Sequence, residues 1–246
     1  MFKSERMDSI MNILNEKKHV TVDYLAEHVF ASKVTVRRDL KVLEDLGLVS
    51  RSYGGVTLRS SENRFVPLSI REQNSSTVKD MIAHKAVSLI GEGSTIIIDG
   101  SSTALRIVNY LHEKQNITVI TNNLRAATML CEKKIPVYCT GGLLVPEALV
   151  CVGPFAEHMI SSVTADLMFF SSQGLSEDGR ISDFSENETN QRRLMLQHAR
   201  KKYFLCDSSK FGKTFLFTVC NANEIDGVIS DVDVDAWLEN AKAKNS

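Results

Sequence analysis

Residues 32–47 read SKVTVRRDLKVLEDLG, and this stretch decides how the first part of the chain folds. Its apolar residues recur at the 3, 4, 7 spacing of one helix face: Val36, Leu40 and Leu43. Ser32 stands where a helix cap is expected, and Gly47 stands where a helix ends. The broad opposite side carries one small apolar residue and three cations: Val34, Arg37, Arg38 and Lys41. The pattern predicts a capped helix with one buried and one cationic face.

The flanking residues extend this helix into a small domain. A first helix is predicted over 4–15, a second helix capped by Thr21 or Asp23 follows, and residues 30–31 form the turn before Ser32. Downstream, residues 48–58 read as a two-stranded ribbon around Gly54-Gly55. Two helices joined by a turn and followed by a ribbon predict a winged helix-turn-helix over 1–57. In such domains the second helix of the pair enters the major groove of DNA.

Three groups of residues are expected to contact DNA. The start of the helix faces phosphates, its cationic side faces base edges, and the ribbon reaches the flanking backbone or minor groove. They are, in that order, Ser32, Lys33 and Thr35; Val34, Arg37, Arg38 and Lys41; Arg51 and Tyr53. Asp39 is expected to hold an arginine through an internal salt bridge. Two alternatives stay open: a solvated helix face, or a winged helix that docks a protein.

Composition excludes several classes of protein. The chain has 246 residues, 43% apolar and 24% charged, which is too apolar for general disorder. No run of 18 apolar residues predicts a membrane span, and the first residues lack the pattern of a signal peptide. The five cysteines lack C-x-x-C spacing and the six histidines lack metal-site spacing, so neither disulfides nor a metal site are expected. A reducing cytoplasm is the expected location.

The rest of the chain has a different pattern and a different charge. Residues 1–60 hold ten basic and eight acidic residues, whereas the remainder holds nineteen and twenty-two. Residues 58–75 lack periodicity and are predicted to be a linker. From residue 76 to 246, short apolar strands alternate with helices, which predicts an α/β domain with a mostly parallel sheet.

Polar residues follow the predicted strands of this second domain. Ligands of open α/β sheets bind beyond the carboxyl ends of strands, so these residues predict one site. The hydroxyls and amides suit sugar hydroxyls, the glycines allow close backbone approach, and Lys210 suits a phosphate. The residues are Asp99, Gly100, Ser101, Ser102, Thr103, Thr121, Asn122, Asn123, Gly141, Gly142, Gln173, Gly174, Asp207 and Lys210. Each also has an ordinary alternative role as a helix cap, turn or solvated loop.

Both halves resemble one family. The motif Ser32-x-x-Thr35-Val36-Arg37-Arg38-Asp39-Leu40 with Arg51-x-Tyr53-Gly54-Gly55-Val56 is similar to the winged helix of DeoR-type bacterial regulators. The strand-end motifs 99–103, 121–123, 141–142 and 207–212 are similar to the effector domain of that family. Small departures include Val36, Tyr53 and Val56 in the winged helix. In the effector domain, Ser101 and Ser172 replace smaller residues, and Arg192 replaces a lysine.

The resemblance implies a fold and a function. The effector domain is expected to be related to ribose-5-phosphate isomerase and to bind a phosphorylated sugar, with Glu188 and Arg192 among its site residues. The chain is then a regulator of carbohydrate metabolism genes, a repressor rather than an activator. Its partners are a double-stranded DNA operator and further copies of itself, as a dimer or tetramer. No cofactor, catalytic residue or metal ligand is expected.

The fold relationship also supports a rival hypothesis. A sugar-phosphate isomerase fused to a winged helix would need a general base and an electrostatic partner beside a carbonyl. The acids and the lysine that meet this need are Asp99, Asp166, Glu188, Asp207 and Lys210. An aldose–ketose conversion assay separates the two hypotheses.

Overall fold

The computed structural model describes residues 3–45, 48–52, 55–58, 66–73, 75–114 and 116–237. They form two compact units, residues 1–74 and 75–246. The α/β fold class and the winged helix-turn-helix predicted from the sequence are both confirmed.

The first unit contains three helices, a small sheet and a fourth short helix. In chain order these are α1 (Lys3–Lys17), β1 (His19–Val20), α2 (Val22–His28), α3 (Lys33–Asp45), β2 (Val49–Ser52), β3 (Gly55–Leu58) and α4 (Leu68–Gln73). The sheet is antiparallel in the order β1-β3-β2. Its core combines the apolar faces of all three long helices with the inner side of the sheet, including Ile10, Leu14, Leu25, Leu40 and Val56.

The predicted caps and the predicted turn can be compared with the structure. Thr21 Oγ1 accepts a hydrogen bond from the Tyr24 amide at 3.1 Å, and Ser32 Oγ accepts one from the Thr35 amide at 3.2 Å. Gly55 belongs to β3 and pairs with Ser52, so Gly55 lies in a strand rather than in the predicted Gly54-Gly55 turn. Gly47, Tyr53 and Gly54 lie outside the described residues.

The segment 58–75 differs from the linker predicted there, because it contains helix α4. Leu68 is fully buried, and Ile70 belongs to the core cluster of the first unit. Leu68 and Ile70 are only two positions apart, and this spacing does not show the 3, 4, 7 periodicity of a helix. The sequence therefore did not reveal this short helix.

The second unit is built on a six-stranded parallel sheet in the order β14-β12-β9-β4-β5-β6. The strands are β4 (Thr95–Ile98), β5 (Thr118–Thr121), β6 (Val137–Cys139), β9 (Ala165–Phe170), β12 (Ala199–Cys206) and β14 (Gly227–Ser230). Its core includes Ile97, Met168, Phe170 and Phe204, all fully buried. The mostly parallel sheet was predicted, and the predicted strands lie within it.

Five further strands form antiparallel pairs that the sequence analysis missed. They are β7 (Leu143–Val145) with β8 (Val150–Val152), and β10 (Gly174–Leu175) and β13 (Phe217–Asn221) on either side of β11 (Arg180–Asp183). The helices are α5 (Ser76–Val87), α6 (Ser102–Leu105), α7 (Leu124–Glu132), α8 (Pro154–Ser161) and α9 (Glu186–Gln197). The helix predicted to run to Leu111 is shorter, since α6 gives way to 3-10 turns at Arg106. In the described part of the chain, no helix combines the length and apolar character needed to cross a membrane.

Candidate functional sites

Helix α3 has the two faces that its sequence predicts. Val36 and Leu40 are fully buried, whereas the opposite face is exposed. We call that exposed face the α3 ridge; it consists of Val34, Arg37, Arg38 and Lys41. Within the described residues the three cations of the ridge make no hydrogen bond or ion pair, and Val34 is 58% exposed. The ridge therefore offers unpaired charge beside one small apolar side chain.

A partly buried ion pair joins α3 to α1. Arg6 Nε donates to Asp39 Oδ2 at 2.6 Å, and Arg6 Nη2 donates to Asp39 Oδ1 at 3.4 Å. The hydrogen bond to Asp39 raises the pKa of Arg6 above its ordinary value. Asp39 thus holds an arginine of a neighbouring helix, which leaves the arginines of the α3 ridge unpaired.

The remaining residues predicted to contact DNA are partly engaged within the protein. Lys33 Nζ lies 2.8 Å from Asp23 Oδ2 on the surface, and Arg51 Nη2 lies 2.7 Å from Glu44 Oε2. Because exposed ion pairs are weak, a phosphate can compete for either cation. Ser32 is exposed, and its hydroxyl oxygen accepts the capping hydrogen bond from the Thr35 amide. The same hydroxyl is also hydrogen-bonded to the Thr35 hydroxyl. Tyr53 lies outside the described residues.

In the second unit, the strand ends carry a buried charge cluster around Arg192. Its Nε donates to Asp99 Oδ2 at 2.7 Å, and its two Nη atoms donate to Asp183 and Glu188 at 2.8 Å each. Burial alone lowers the pKa of Arg192, but the three carboxylates outweigh burial and hold the pKa well above its ordinary value. This cluster joins the end of β4, the end of β11 and the first turns of α9.

The carboxylates of this cluster have further partners within the protein. Asp99 Oδ1 accepts from the Ser101 hydroxyl at 2.5 Å and from the Ser101 amide at 3.1 Å. Asp183 accepts from Ser172 Oγ at 3.1 Å. Asp99 was predicted to contact a ligand from its place at a strand end, and Glu188 and Arg192 from the family resemblance. The structure pairs their charges with one another, and their contact with a ligand stays a prediction. Their geometry makes them a frame that positions neighbouring groups.

A second group of polar side chains lies under α9. Asn122 Nδ2 donates to Gln191 Oε1 at 2.6 Å, which ties the end of β5 to α9. The opposite amide atoms, Asn122 Oδ1 and Gln191 Nε2, have no hydrogen-bond partner among the described residues. The same holds for Thr103 Oγ1, Asn123 Nδ2 and Thr189 Oγ1, all sealed from solvent. Unpaired buried polar atoms are costly, about 1–3 kcal/mol each, so a cluster of them marks a place where partners are expected.

The third group surrounds Lys210 at the end of β12. Lys210 Nζ donates to Ser171 Oγ at 2.6 Å and lies 3.5 Å from Asp207 Oδ2. Burial raises the pKa of Asp207, but Lys210, the Ser209 hydroxyl and Lys79 outweigh it and hold the pKa below its ordinary value. Lys79 of α5 is only 5% exposed. This corner of the site therefore concentrates two buried or half-buried ammonium groups against one carboxylate.

Several predicted residues have the ordinary roles that the sequence left open. Ser101 Oγ accepts from the Ala104 amide and caps α6, and Asn123 Oδ1 accepts from the Ala126 amide and caps α7. Thr121 Oγ1 accepts from the amide of Asn123. Ser102 is buried at the start of α6, and Gln173 is half-buried after β9. Their contacts within the protein are those of caps and turns.

The predicted glycines mostly serve packing within the protein. A Cβ on Gly142, whose φ is +103°, would lie 2.7 Å from the Val152 carbonyl oxygen. A Cβ on Gly174 would lie 2.4 Å from the Lys213 carbonyl oxygen, and one on Gly100 would lie 2.3 Å from Val150 Cγ1. Only Gly141, with φ +65°, has open space where its Cβ would be, as judged within the described residues.

Four residues of this region were missed by sequence reasoning: Lys79, Asp183, Thr189 and Gln191. Lys79 stands at helical spacing with Ile82, Ala83 and Ala86, and a lysine within an apolar stripe was an available signal. Asp183 ends a strand that was not predicted. Thr189 and Gln191 share the buried face of α9, whose first turns bury only polar residues; its buried apolar residues, Met195 and Leu196, come only at the end of the helix.

The fold and its sites define the class of protein: a winged helix with an unpaired cationic ridge, followed by an α/β sensor-type domain. Two family models match, a DeoR-like helix-turn-helix domain over residues 6–62 and a DeoR C-terminal sensor domain over residues 74–232. The chain belongs to the DeoR family of transcriptional regulators.

Two relatives agree with this assignment, a regulator and a repressor. The HTH-type transcriptional regulator GolR of Listeria innocua is 33% identical over 97% of this chain and 94% of its own length. The lactose phosphotransferase system repressor of Staphylococcus epidermidis is 30% identical over 94% of this chain and 93% of its own length. Among solved structures, ribose 5-phosphate isomerase A of Methanocaldococcus jannaschii has a TM-score of 0.43 at 17% identity, covering 56% of this chain and 55% of that chain.

Proposed function

We propose that this protein is a transcriptional repressor of carbohydrate metabolism genes that leaves its operator when a phosphorylated sugar binds. The observation that carries the DNA-binding part is the α3 ridge. Arg37, Arg38 and Lys41 lie together on one exposed helix face and have no carboxylate partner among the described residues. Arginine binds guanine O6 and N7 through two hydrogen bonds, and Val34 suits a thymine methyl group.

The strand ends of the second unit support the sugar-phosphate part. Lys210 and Lys79 provide positive charge for a phosphate, and Asp207 keeps that charge in place. The unpaired amide and hydroxyl atoms of Thr103, Asn122 and Gln191 match the donors and acceptors of sugar hydroxyls. The names of relatives, including a lactose phosphotransferase system repressor, agree with a carbohydrate signal.

The sealed state of the polar atoms suggests how a ligand acts on the rest of the chain. A sugar reaches Asn122 Oδ1 and Gln191 Nε2 only when α9 or its neighbours move, because these atoms have no solvent-accessible surface. Ligand binding therefore selects a different arrangement of the second unit. A coupling of about 1–3 kcal/mol would change operator affinity by about 5–150-fold.

The remaining parts of the proposal concern assembly, location and turnover. We infer a symmetric dimer or tetramer, since two recognition helices on one duplex read a palindromic operator. Five free cysteines suit a reducing cytoplasm, where the DNA is. We infer a sensor without turnover, because Asp99 and Glu188 are engaged by Arg192 and neither is a free general base.

The test uses the full chain and duplex fragments from upstream of its own gene. Fluorescence anisotropy is expected to show nanomolar binding to one fragment that falls steeply with salt. Arg37→Ala should weaken binding by about 1–3 kcal/mol and leave thermal stability unchanged. Arg200→Ala, an exposed arginine of the second unit, is the control and should bind like the wild type.

Two results would overturn the proposal. One is failure to bind any upstream fragment, with or without a panel of sugar phosphates. The other is equal affinity for Arg37→Ala and the control. A flat salt response would instead indicate a protein-docking winged helix, and aldose–ketose turnover at an enzyme-like rate would support the isomerase hypothesis.

A further inference from the structure

Two of the five cysteines lie next to each other although they belong to different strands. Cys139 ends β6 and is exposed, whereas Cys151 is the middle residue of β8 and is buried. The sequence predicts no disulfide framework, and all five cysteines are free thiols in this structure. A solvent-exposed thiol with a second thiol beside it is the arrangement of reversible redox sites in proteins of reducing compartments.

Backbone contacts bring the two cysteines to the same place, the end of β5. Cys139 is the partner of Thr121 in the register of β5 with β6, and neighbouring strands lie about 4.8 Å apart. The Cys151 amide donates to the Asn122 carbonyl at 2.8 Å, and Asn122 Nδ2 donates to the Cys151 carbonyl at 3.4 Å. Both cysteines are therefore about one strand spacing from consecutive residues of the chain.

The side chains of the pair face each other. Burial raises the pKa of the Cys151 thiol, and the Cys139 thiol raises that pKa further, through its charge and through a hydrogen bond between the two groups. Such a bond requires the two sulfur atoms to be neighbours. Neighbouring backbones and facing thiols are what a disulfide requires, namely Cα atoms about 4.4–6.8 Å apart and Cβ atoms directed toward each other.

We propose that Cys139 and Cys151 form a site of reversible oxidation, at which a peroxide converts the two thiols into a disulfide. The exposed Cys139 Sγ attacks one oxygen of the peroxide: an S–O bond forms, the O–O bond breaks, and the other oxygen leaves with a proton as water or an alcohol. Cys151 Sγ then attacks the sulfenic sulfur of Cys139, so that the S–S bond forms and the S–O bond breaks with release of water. The two thiols lose two electrons, the peroxide gains them, and a small thiol reverses the step by exchange.

The position of the pair gives the oxidation a consequence for the strand ends. Strand β8 lies across two of them, since Val150 forms a bridge with Asn123, and a Cβ on Gly100 would lie 2.3 Å from Val150 Cγ1. Asn122 Oδ1, one of the sealed atoms of the candidate ligand site, lies 3.5 Å from the same Cβ position. A disulfide would tie β8 to β6 in this covering position and so hold the strand ends closed.

The consequence for regulation rests on the proposed function, whereas formation of the disulfide does not. A ligand reaches the sealed atoms only when the elements that cover them move. The oxidised repressor should therefore stay on its operator at sugar-phosphate concentrations that release the reduced repressor.

The first experiment looks for the disulfide in the full chain. The reduced protein is treated with a small excess of hydrogen peroxide, its remaining thiols are blocked with a maleimide in urea, and it is digested with a protease that cuts after glutamate. Cleavage after Glu147 separates Cys139 from Cys151, so the two fragments stay together only through a disulfide. Mass spectrometry should find the linked fragments as the main product, and a reducing agent should separate them.

Two substitutions of exposed cysteines are compared under the same treatment. Cys139→Ser changes an exposed side chain, is expected to fold normally, and should abolish the linked fragments. Cys131→Ser removes the other exposed thiol, which lies near the end of α7, and should leave their yield unchanged.

The second experiment measures whether the disulfide holds β8 in place. Hydrogen exchange of the amides of residues 143–152 is followed in the reduced and the oxidised chain, with no ligand added. Closing the short loop 139–151 removes open conformations, so these amides should exchange at least about tenfold more slowly after oxidation. Peroxide-treated Cys139→Ser controls for oxidation of methionines and should exchange like the reduced wild type.

The outcomes separate this proposal from the proposed function. Absence of the linked fragments from the wild type, or their presence in Cys139→Ser, overturns the redox site. Equal exchange of residues 143–152 in the reduced and oxidised chains overturns the hold on β8. If the reduced chain fails to bind any operator fragment but forms the disulfide, the repressor proposal fails and the redox site stands; operator binding without the disulfide is the reverse case.

Discussion

Replacing Arg192 by methionine is expected to be among the most damaging single changes in the second unit. The guanidinium is 3% exposed and makes three hydrogen bonds of 2.7–2.8 Å to Asp99, Asp183 and Glu188. Removing it leaves three buried carboxylates without their cation. Breaking one buried pair in this way costs about 3–5 kcal/mol, and three acceptors place Arg192→Met at or above that range.

A conservative variant and a matched control sharpen the test. Arg192→Lys retains the charge but cannot donate in three directions from one plane, so a loss of about 1.5–3 kcal/mol is expected. Arg200→Met removes an arginine that is 75% exposed and 3.6 Å from Asp166. Its pair is exposed, so a loss of at most about 1 kcal/mol is expected.

The assay follows urea unfolding through tryptophan fluorescence. Trp237 is the one tryptophan of the chain, and its ring centroid lies 4.7 Å from that of Phe211 in the core of the second unit. The signal therefore reports this unit. With a slope of about 2 kcal/mol per molar urea, Arg192→Met should lower the midpoint by about 1.5–2.5 M. A midpoint shift equal to that of Arg200→Met would refute the reasoning.

Three further predictions address the ligand, the thiols and pH. Lys210→Ala should keep wild-type operator affinity, but releasing the DNA should need at least a tenfold higher concentration of the sugar phosphate, because one cation that would contact the phosphate group is gone. An unaltered release curve would remove Lys210 from the site. A thiol reagent at pH 8 should quickly label two of the five cysteines, the exposed Cys131 and Cys139. The other three should react slowly, because Cys151 is buried and burial raises the pKa of Cys206 and Cys220 to about 12. Rapid labelling of all five would contradict this packing. The folded pKa of Asp207 is lowered, so its contribution to stability is present above the ordinary value of about 3.9 and is lost as the pH falls through the lower folded value. The urea midpoints of wild type and Asp207→Asn should therefore converge as the pH falls below about 3.9, and a constant gap contradicts the assignment.

Local patterns carried the prediction of the first unit and of the parallel sheet. The spacing of Val36, Leu40 and Leu43 fixes which side of α3 is buried, and that in turn fixes the α3 ridge. The parallel strands, such as Thr95–Ile98, are continuous apolar runs because both of their faces are covered. Such patterns depend only on residues close together in the sequence, so they can be recognised without knowledge of the tertiary fold.

The parts that failed depend on contacts between distant residues. Strands β10 and β11 are short, and the pairing of β11 with β13 joins residues that are distant along the chain. The buried polar residues of α9 acquire partners only in the tertiary fold, where Arg192 meets Asp99, 93 residues away. For the same reason the sequence did not show that Asp99, Glu188 and Arg192 pair with one another in a buried cluster; their contact with a ligand stays a prediction.

The most direct test of the central claim is one titration on the full chain. Operator DNA is bound at moderate salt, and sugar phosphates are added singly while anisotropy reports the bound fraction. The account predicts that one compound releases the DNA by weakening affinity about 5–150-fold, and that inorganic phosphate at equal concentration does not. If every sugar phosphate leaves the affinity of a demonstrably bound operator unchanged, the coupling between the second unit and the α3 ridge is contradicted.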